Sequence, residues 1–234
     1  MHPNRAFAWQ DEAAMLAFIA DIAFCTVAAE GPLVVHAPVV VDPPDRLRFH
    51  VSRANRGADL DGKRAIVSCL GPDAYISPDW YGVPDQVPTW NYLAVEAEGV
   101  LRRLDEAALS TLLDDLSAAH EARLAPKPAW TRAKLGQGRF EAMLNAITGY
   151  ELTIEDLRGT RKLGQHKPDQ AAAAADRLAP YNSDLAALMR NSSPAFAGEG
   201  DHPQGGGGAS LGRKNAPPPR FARSPSPRNR GEEQ

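Results

Sequence analysis

Hydrophobic positions along this chain switch between a helical and an alternating period. From Asp11 to Ile22 the apolar residues Met15, Phe18, Ile19 and Ile22 share one helical face, and Asp11 stands where a cap belongs. Short β-type runs follow at Ala23–Ala29, Leu33–Val41, Arg46–Ser52 and Arg64–Leu70. Turn formers such as Glu30-Gly31-Pro32 and Asp42-Pro43-Pro44-Asp45 separate them, predicting a meander of strands. Trp90–Leu104 is a strand long enough to bend across a barrel. Between Asp105 and Arg123 the set Leu109, Leu112, Leu113, Leu116 marks an amphipathic helix lying on the sheet. Phe140, Met143, Leu144 and Ile147 repeat that spacing and predict a second helix, whereas Tyr150, Leu152 and Ile154 alternate with polar residues as a half-buried antiparallel strand does. Six or so strands interrupted by helices, without regular alternation, predict a mainly β fold: a closed antiparallel barrel with peripheral helices.

Composition limits where that fold extends. Residues 191–234 hold 7 Pro and 8 Gly with Phe196, Leu211 and Phe221 as their large apolar groups, too little apolar surface to offset the entropy of ordering. One folded domain over 1–190 and a disordered tail over 191–234 are therefore expected. The tail carries 6 basic and 4 acidic residues, a net +2, which leaves −5 of the total −3 on residues 1–190. No apolar run is long enough to span a membrane and the N-terminus has no apolar signal core, so a cytoplasmic protein is expected. Cys25 and Cys69, each within an apolar run, are expected to be buried and free.

The chain lacks a phosphate loop ending in Gly-Lys-Ser/Thr and a His-Glu-x-x-His pair. Its six histidines show no metal-ligand spacing, so no metal site is assigned, although His36 and His50 lie on consecutive predicted strands. Three stretches are richer in chemistry. His50-Val51-Ser52-Arg53-Ala54-Asn55 runs from a strand end into a loop with a hydroxyl, a guanidinium and an amide, a donor set suited to phosphate. Tyr75, Trp80, Tyr81, Trp90 and Tyr92 place five aromatic rings within 18 positions, fit to flank a flat heterocycle or fill an interface. Arg161-Lys162-Leu163-Gly164-Gln165-His166-Lys167 is a basic loop after the last strand.

Gly71-Pro72-Asp73-Ala74-Tyr75-Ile76-Ser77-Pro78-Asp79-Trp80-Tyr81, Val87-Pro88-Thr89-Trp90-Asn91-Tyr92 and Lys162-Leu163-Gly164-Gln165 together resemble the PaiB-like family of FMN-binding negative transcriptional regulators. The resemblance covers roughly residues 1–190. It implies the FMN-binding split barrel of pyridoxamine-phosphate oxidases and flavin reductases, a homodimer with FMN at the subunit interface. It also implies that His50, Val51, Ser52 and Arg53 lie beside the flavin, with Ser52 and Arg53 on its phosphate and Asn55 supporting the loop. Trp90, Asn91 and Tyr92 would line the pocket, and Lys162 and Gln165 would add late polar contacts. Where the family shows Leu-Ser-Gln-Asn, this chain has Leu163-Gly164-Gln165-His166.

The function so implied is a dimeric FMN-dependent oxidoreductase or flavin reductase, with His50 and Tyr92 as substrate contacts and no catalytic acid or base assigned. The alternatives are a non-enzymatic flavin-dependent transcriptional regulator and a split barrel that holds haem or another planar ligand. Direct nucleic-acid binding has weak support, because residues 1–190 are acidic overall and contain no helix-turn-helix pattern.

Overall fold

The computed structural model describes residues 2–55 and 58–192. Along the chain come β1 (Ala8–Trp9), α1 (Glu12–Ile22), β2 (Phe24–Ala29), β3 (Leu33–Asp42), β4 (Arg46–Ser52), β5 (Arg64–Ile76), β6 (Thr89–Arg103), α2 (Glu106–Ala122), α3 (Arg139–Leu144), β7 (Ile147–Lys162), α4 (Pro168–Leu178) and α5 (Ser183–Asn191). Two compact units form. One comprises Met1–Gly71 and Leu93–Arg161, the other Pro72–Tyr92 and Lys162–Gln234, the latter described as far as residue 192.

The first unit is the barrel. Strand order is β1-β7-β4-β3-β2-β5-β6, and a further β7–β6 pairing closes six of the strands on themselves, as the antiparallel meander predicts. Alternation sets the faces. Leu47, Phe49 and Val51 of β4 turn inward with Val27, Val35 and Val67, while Arg48 and His50 turn outward. Gly99 permits closure, since a Cβ there would lie 2.0 Å from the Thr153 carbonyl oxygen. Asp11 and Asp105 cap α1 and α2 with side chains that accept from Ala14 N and Ala108 N. α2 lays Leu109, Leu112 and Leu116 against Val40, Leu104 and Ile147 on the outer side of the barrel. Arg48 ties this arrangement together: it binds Asp42 of β3 and, at 2.7 Å, Asp115 of α2.

Several expectations need correction. Cys25 and Cys69 are buried but not free: they face each other across β2 and β5, 5.0 Å apart at Cα, and form a disulfide. The register Thr26↔Ser68 puts them directly opposite, a relation that spacing along the chain does not reveal. Ile147 does not continue a helix. α3 stops at Leu144, and Ile147 opens β7 by pairing with Ser52, because a partner strand outweighs a short helical pattern. β5 runs on from Leu70 to Ile76. The tail expectation lies outside the described residues, except that Asn191 is the last residue of α5.

Candidate functional site

Backbone geometry at the end of β4 holds the first candidate residues. His50 and Ser52 point outward, whereas Val51 is buried in the barrel core and offers only its backbone to the surroundings of the strand. Past Ser52 the chain turns. Ala54 N donates to Ser52 Oγ at 3.3 Å and Asn55 N to the Ser52 carbonyl at 3.0 Å. Arg53 is clamped to the start of β7, its backbone N donating to the Ala146 carbonyl and its Nε to the Ile147 carbonyl, both at 2.9 Å. The terminal amino groups of Arg53 pair with no described residue.

Arg53 lines a cavity of about 240 Å³ that also takes in Arg103, Asp105, Asn145 and Thr148. Neither arginine forms an ion pair among the described residues, and the N-terminus of α2 opens at the same place. Asp105 spends one carboxylate oxygen on capping that helix. Two guanidinium groups beside a helix N-terminus suit a compact anion such as phosphate. Arg103 is not foreseeable from the strand pattern, since Arg102 and Arg103 form a doublet at a strand end. Only the fold, which fixes Arg103 by its backbone N to Asp61 Oδ1 at 2.8 Å, tells which one meets the cavity.

His50 takes a different direction. It borders a cleft of about 370 Å³ between α2 and the segment leading to β7, its Nδ1 is sealed off without a partner, and burial lowers its pKa. His36 does not meet it; His36 Nδ1 lies 3.1 Å from Thr26 Oγ1. Among the described residues no group of three or more His, Cys, Asp and Glu is placed to hold a metal ion.

The remaining candidates belong to the second unit. Trp90 is half exposed, with its indole N–H donating to Asp73 Oδ1 at 2.9 Å and Tyr75 edge-on at 6.3 Å. Tyr92 lies on the same face of β6, while Asn91 alternates inward, buried, with Nδ2 3.5 Å from Met189 Sδ. Lys162 Nζ donates to Thr89 Oγ1 at 2.7 Å, and burial lowers its pKa. Gln165 folds back so that Oε1 accepts from Leu163 N at 2.9 Å. The glycine at 164 has a structural reason: its φ is +82° and a Cβ would meet Ala171 Cβ at 2.9 Å, so serine would be strained here. Burial, and then Lys167 and Lys162, lower the pKa of His166. Trp80 stacks on Tyr181 with centroids 6.1 Å apart. The sequence reading missed α4 and α5, although Pro168 at a helix start and Asn182 as a cap are signals of the expected kind.

A closed antiparallel barrel with an anion-suited cavity at one strand end defines the class. Residues 1–156 match the family described as "Putative FMN-binding domain", and the chain belongs to that family, which is flavin-binding and PaiB-like. It is 33% identical over 102 residues to the protease synthase and sporulation protein PAI 2 of Bacillus subtilis (strain 168). That match covers 44% of this chain and 48% of the relative, so the chain spans about half the length of the curated relative it matches. Among solved structures it is similar to the FAD and haem binding protein of Mycobacterium smegmatis, with 19% identity, TM-score 0.46, and coverage of 66% of this chain and 73% of that one. It is also similar to the flavocytochrome Anf3 of Azotobacter vinelandii, with 21% identity, TM-score 0.45 and coverage of 68% and 72%.

Proposed function

We propose that this chain binds FMN, that it does so as a homodimer, and that it is a flavin-dependent oxidoreductase or flavin reductase. The observation that carries the proposal is Arg53, held through Nε by the Ile147 carbonyl with its terminal amino groups paired to no described residue, in one cavity with Arg103. Those residues fit a phosphate monoester, which accepts several charge-assisted hydrogen bonds at once. Ser52, beside Arg53, would add a hydroxyl donor. FMN, once held, would supply the electron chemistry. The chain itself would bind the phosphate and orient the group through a strand end that two hydrogen bonds hold to β7 and the residue before it. Trp90, Asn91, Tyr92, Lys162 and Gln165 remain proposed contacts on the strength of the family resemblance alone.

The dimer draws support from the outer face of β2, β3 and β5. Phe24, Thr26, Ala28, Val34, His36, Pro38, Ile66, Ser68 and Leu70 form an uncharged patch there, bounded by Asp42 at the end of β3 and Arg64 at the start of β5. The absorption spectrum of purified protein is the first test: flavin bands are expected, and a haem band in their place would favour the other planar-ligand reading. In a titration, Arg53→Ala is expected to weaken FMN binding by about 1.5–3 kcal/mol, roughly tenfold to a hundredfold in Kd. Unchanged affinity would remove Arg53 from the site. Oxidation of NAD(P)H with saturating FMN tests turnover. No turnover with any common reductant would leave the second reading, a flavin-dependent regulator.

A further inference from the structure

The cleft that His50 borders is a separate cavity from the one that Arg53 lines. The linings of the two cavities share Ile147 alone. Leu113 and Leu116 of α2, Trp130, Phe140 and Ile147 make its apolar surface; His50 of β4 and His120 of α2 are its imidazoles, and the Ser117 hydroxyl is spent on the Leu113 carbonyl. Charged groups at its rim are already matched: Arg132 pairs with Asp114 at 3.2 Å and lies over the Phe140 ring, and Glu121 pairs with Lys127. A charged guest would lose its hydration there and gain no counter-charge, so the cleft selects against one.

We propose that this cleft binds an uncharged aromatic molecule carrying a hydroxyl group, of the phenol or naphthol class. Its volume of about 370 Å³ lies at the low end of the range for small-molecule sites, which suits one or two fused rings. The flat apolar body meets Trp130 and Phe140, residues that pack against rings by edge or offset face. The hydroxyl answers His50. His50 Nδ1 is sealed from the cleft, so the guest meets Nε2, which hydrogen-bonds to no described residue and in a neutral imidazole is either donor or acceptor. A hydroxyl both donates and accepts, so it satisfies whichever tautomer is present, which a ketone or an ether does not. Burial keeps both His50 and the neighbouring His120 on the neutral side, in keeping with an uncharged guest.

The test uses the full chain and three probes: 2-naphthol, naphthalene and naphthalene-2-sulfonate, followed by fluorescence titration. One 2-naphthol per chain is expected to bind, with the sulfonate at least about tenfold weaker. His50→Leu, close in volume but without nitrogen, is expected to weaken 2-naphthol at least about fivefold and leave naphthalene unchanged. Should that variant fail to fold, imidazole resonances of the unaltered protein serve instead: 2-naphthol should shift those of His50 and His120 and not those of His2 and His36. No binding of 2-naphthol, equal binding by His50→Leu, or no shift at His50 would overturn the proposal. Displacement of 2-naphthol by FMN would also overturn it, by making the cleft part of the flavin site, whereas loss of FMN binding in Arg53→Ala with 2-naphthol unaffected would support two separate sites.

Discussion

Arg53 is fixed and available at the same time, and the division runs through one guanidinium. Nε is committed to the Ile147 carbonyl, and the two terminal amino groups pair with no described residue. A lysine has no such fork, so it cannot be anchored by one nitrogen while presenting two others. Arg53→Lys is therefore expected to bind FMN more weakly than wild type by about threefold to tenfold while keeping the charge, a difference that titration resolves. Three histidines set the acid response. Burial lowers the pKa of His50, His120 and His166, with Arg123 adding at His120 and Lys167 and Lys162 at His166. Below the ordinary value of about 6.5 the unfolded chain takes up protons that the folded chain refuses. Stability is thus fully present above that value, falls as pH drops toward the lowered folded values, and levels off beneath them. Urea midpoints from pH 7.5 to 5 should follow this course, and His50→Gln should flatten it. Glu98 and Glu121, held low first by hydrogen bonds from Arg64 and Lys127, act only below their ordinary value of 4.5. At this scale the sequence showed that Ser52 and Arg53 adjoin at a strand end, since the two are neighbours in the chain. Arg103 and the outward turn of His50 toward α2 could not, because both depend on which strands become neighbours.

Elements show a similar split between local and distant causes. α1 and α2 were legible because cap, period and stop all lie within one segment: Asp11 before Glu12–Ile22, Asp105 before Glu106–Ala122. β4 keeps its predicted bounds, Arg46–Ser52, for the same reason. The extension of β5 through Gly71-Pro72-Asp73 to Ile76 was hidden by turn-forming residues that here sit in a strand. The Cys25–Cys69 bond was hidden because opposition across β2 and β5 is a property of register. Closure of the barrel rests on a similarly distant contact, Gly99 against Thr153. A methyl group at 99 would press on backbone, which cannot swing aside as a side chain can. Gly99→Ala is expected to cost about 1–3 kcal/mol, read as a lowered urea midpoint. By contrast Gly136→Ala, where a Cβ meets nothing within 4 Å and φ is not positive, should leave the midpoint nearly unchanged.

For the molecule as a whole, the question is what covers the uncharged face of the barrel. Phe24, Val34 and Leu70 are 52%, 57% and 57% exposed, on three consecutive strands, and large apolar side chains so grouped mark an association surface. The face lies in register: Phe24 opposes Pro38, Ala28 opposes Val34 and Ile66, and Thr26 opposes both His36 and Ser68. Charge begins at the edge of this patch, where Arg64 of β5 and Arg158 of β7 bridge to Glu98, and a charged surface would resist apposition to a copy of itself. In the proposed homodimer a two-fold axis through the uncharged patch would bring like residues together without opposing like charges, which is what an isologous interface requires. Val34→Lys combined with Leu70→Lys would bury up to four unpaired ammonium groups in that interface, so light scattering should report a monomer where the unaltered chain is a dimer. The fold should remain, because both positions face away from the core. If FMN is bound by residues of both subunits, the same double variant should also lose the rise in melting temperature that FMN gives by mass action. A double variant that stays dimeric would place the interface elsewhere, and one that becomes monomeric but is still stabilised by FMN would confine the flavin site to a single chain.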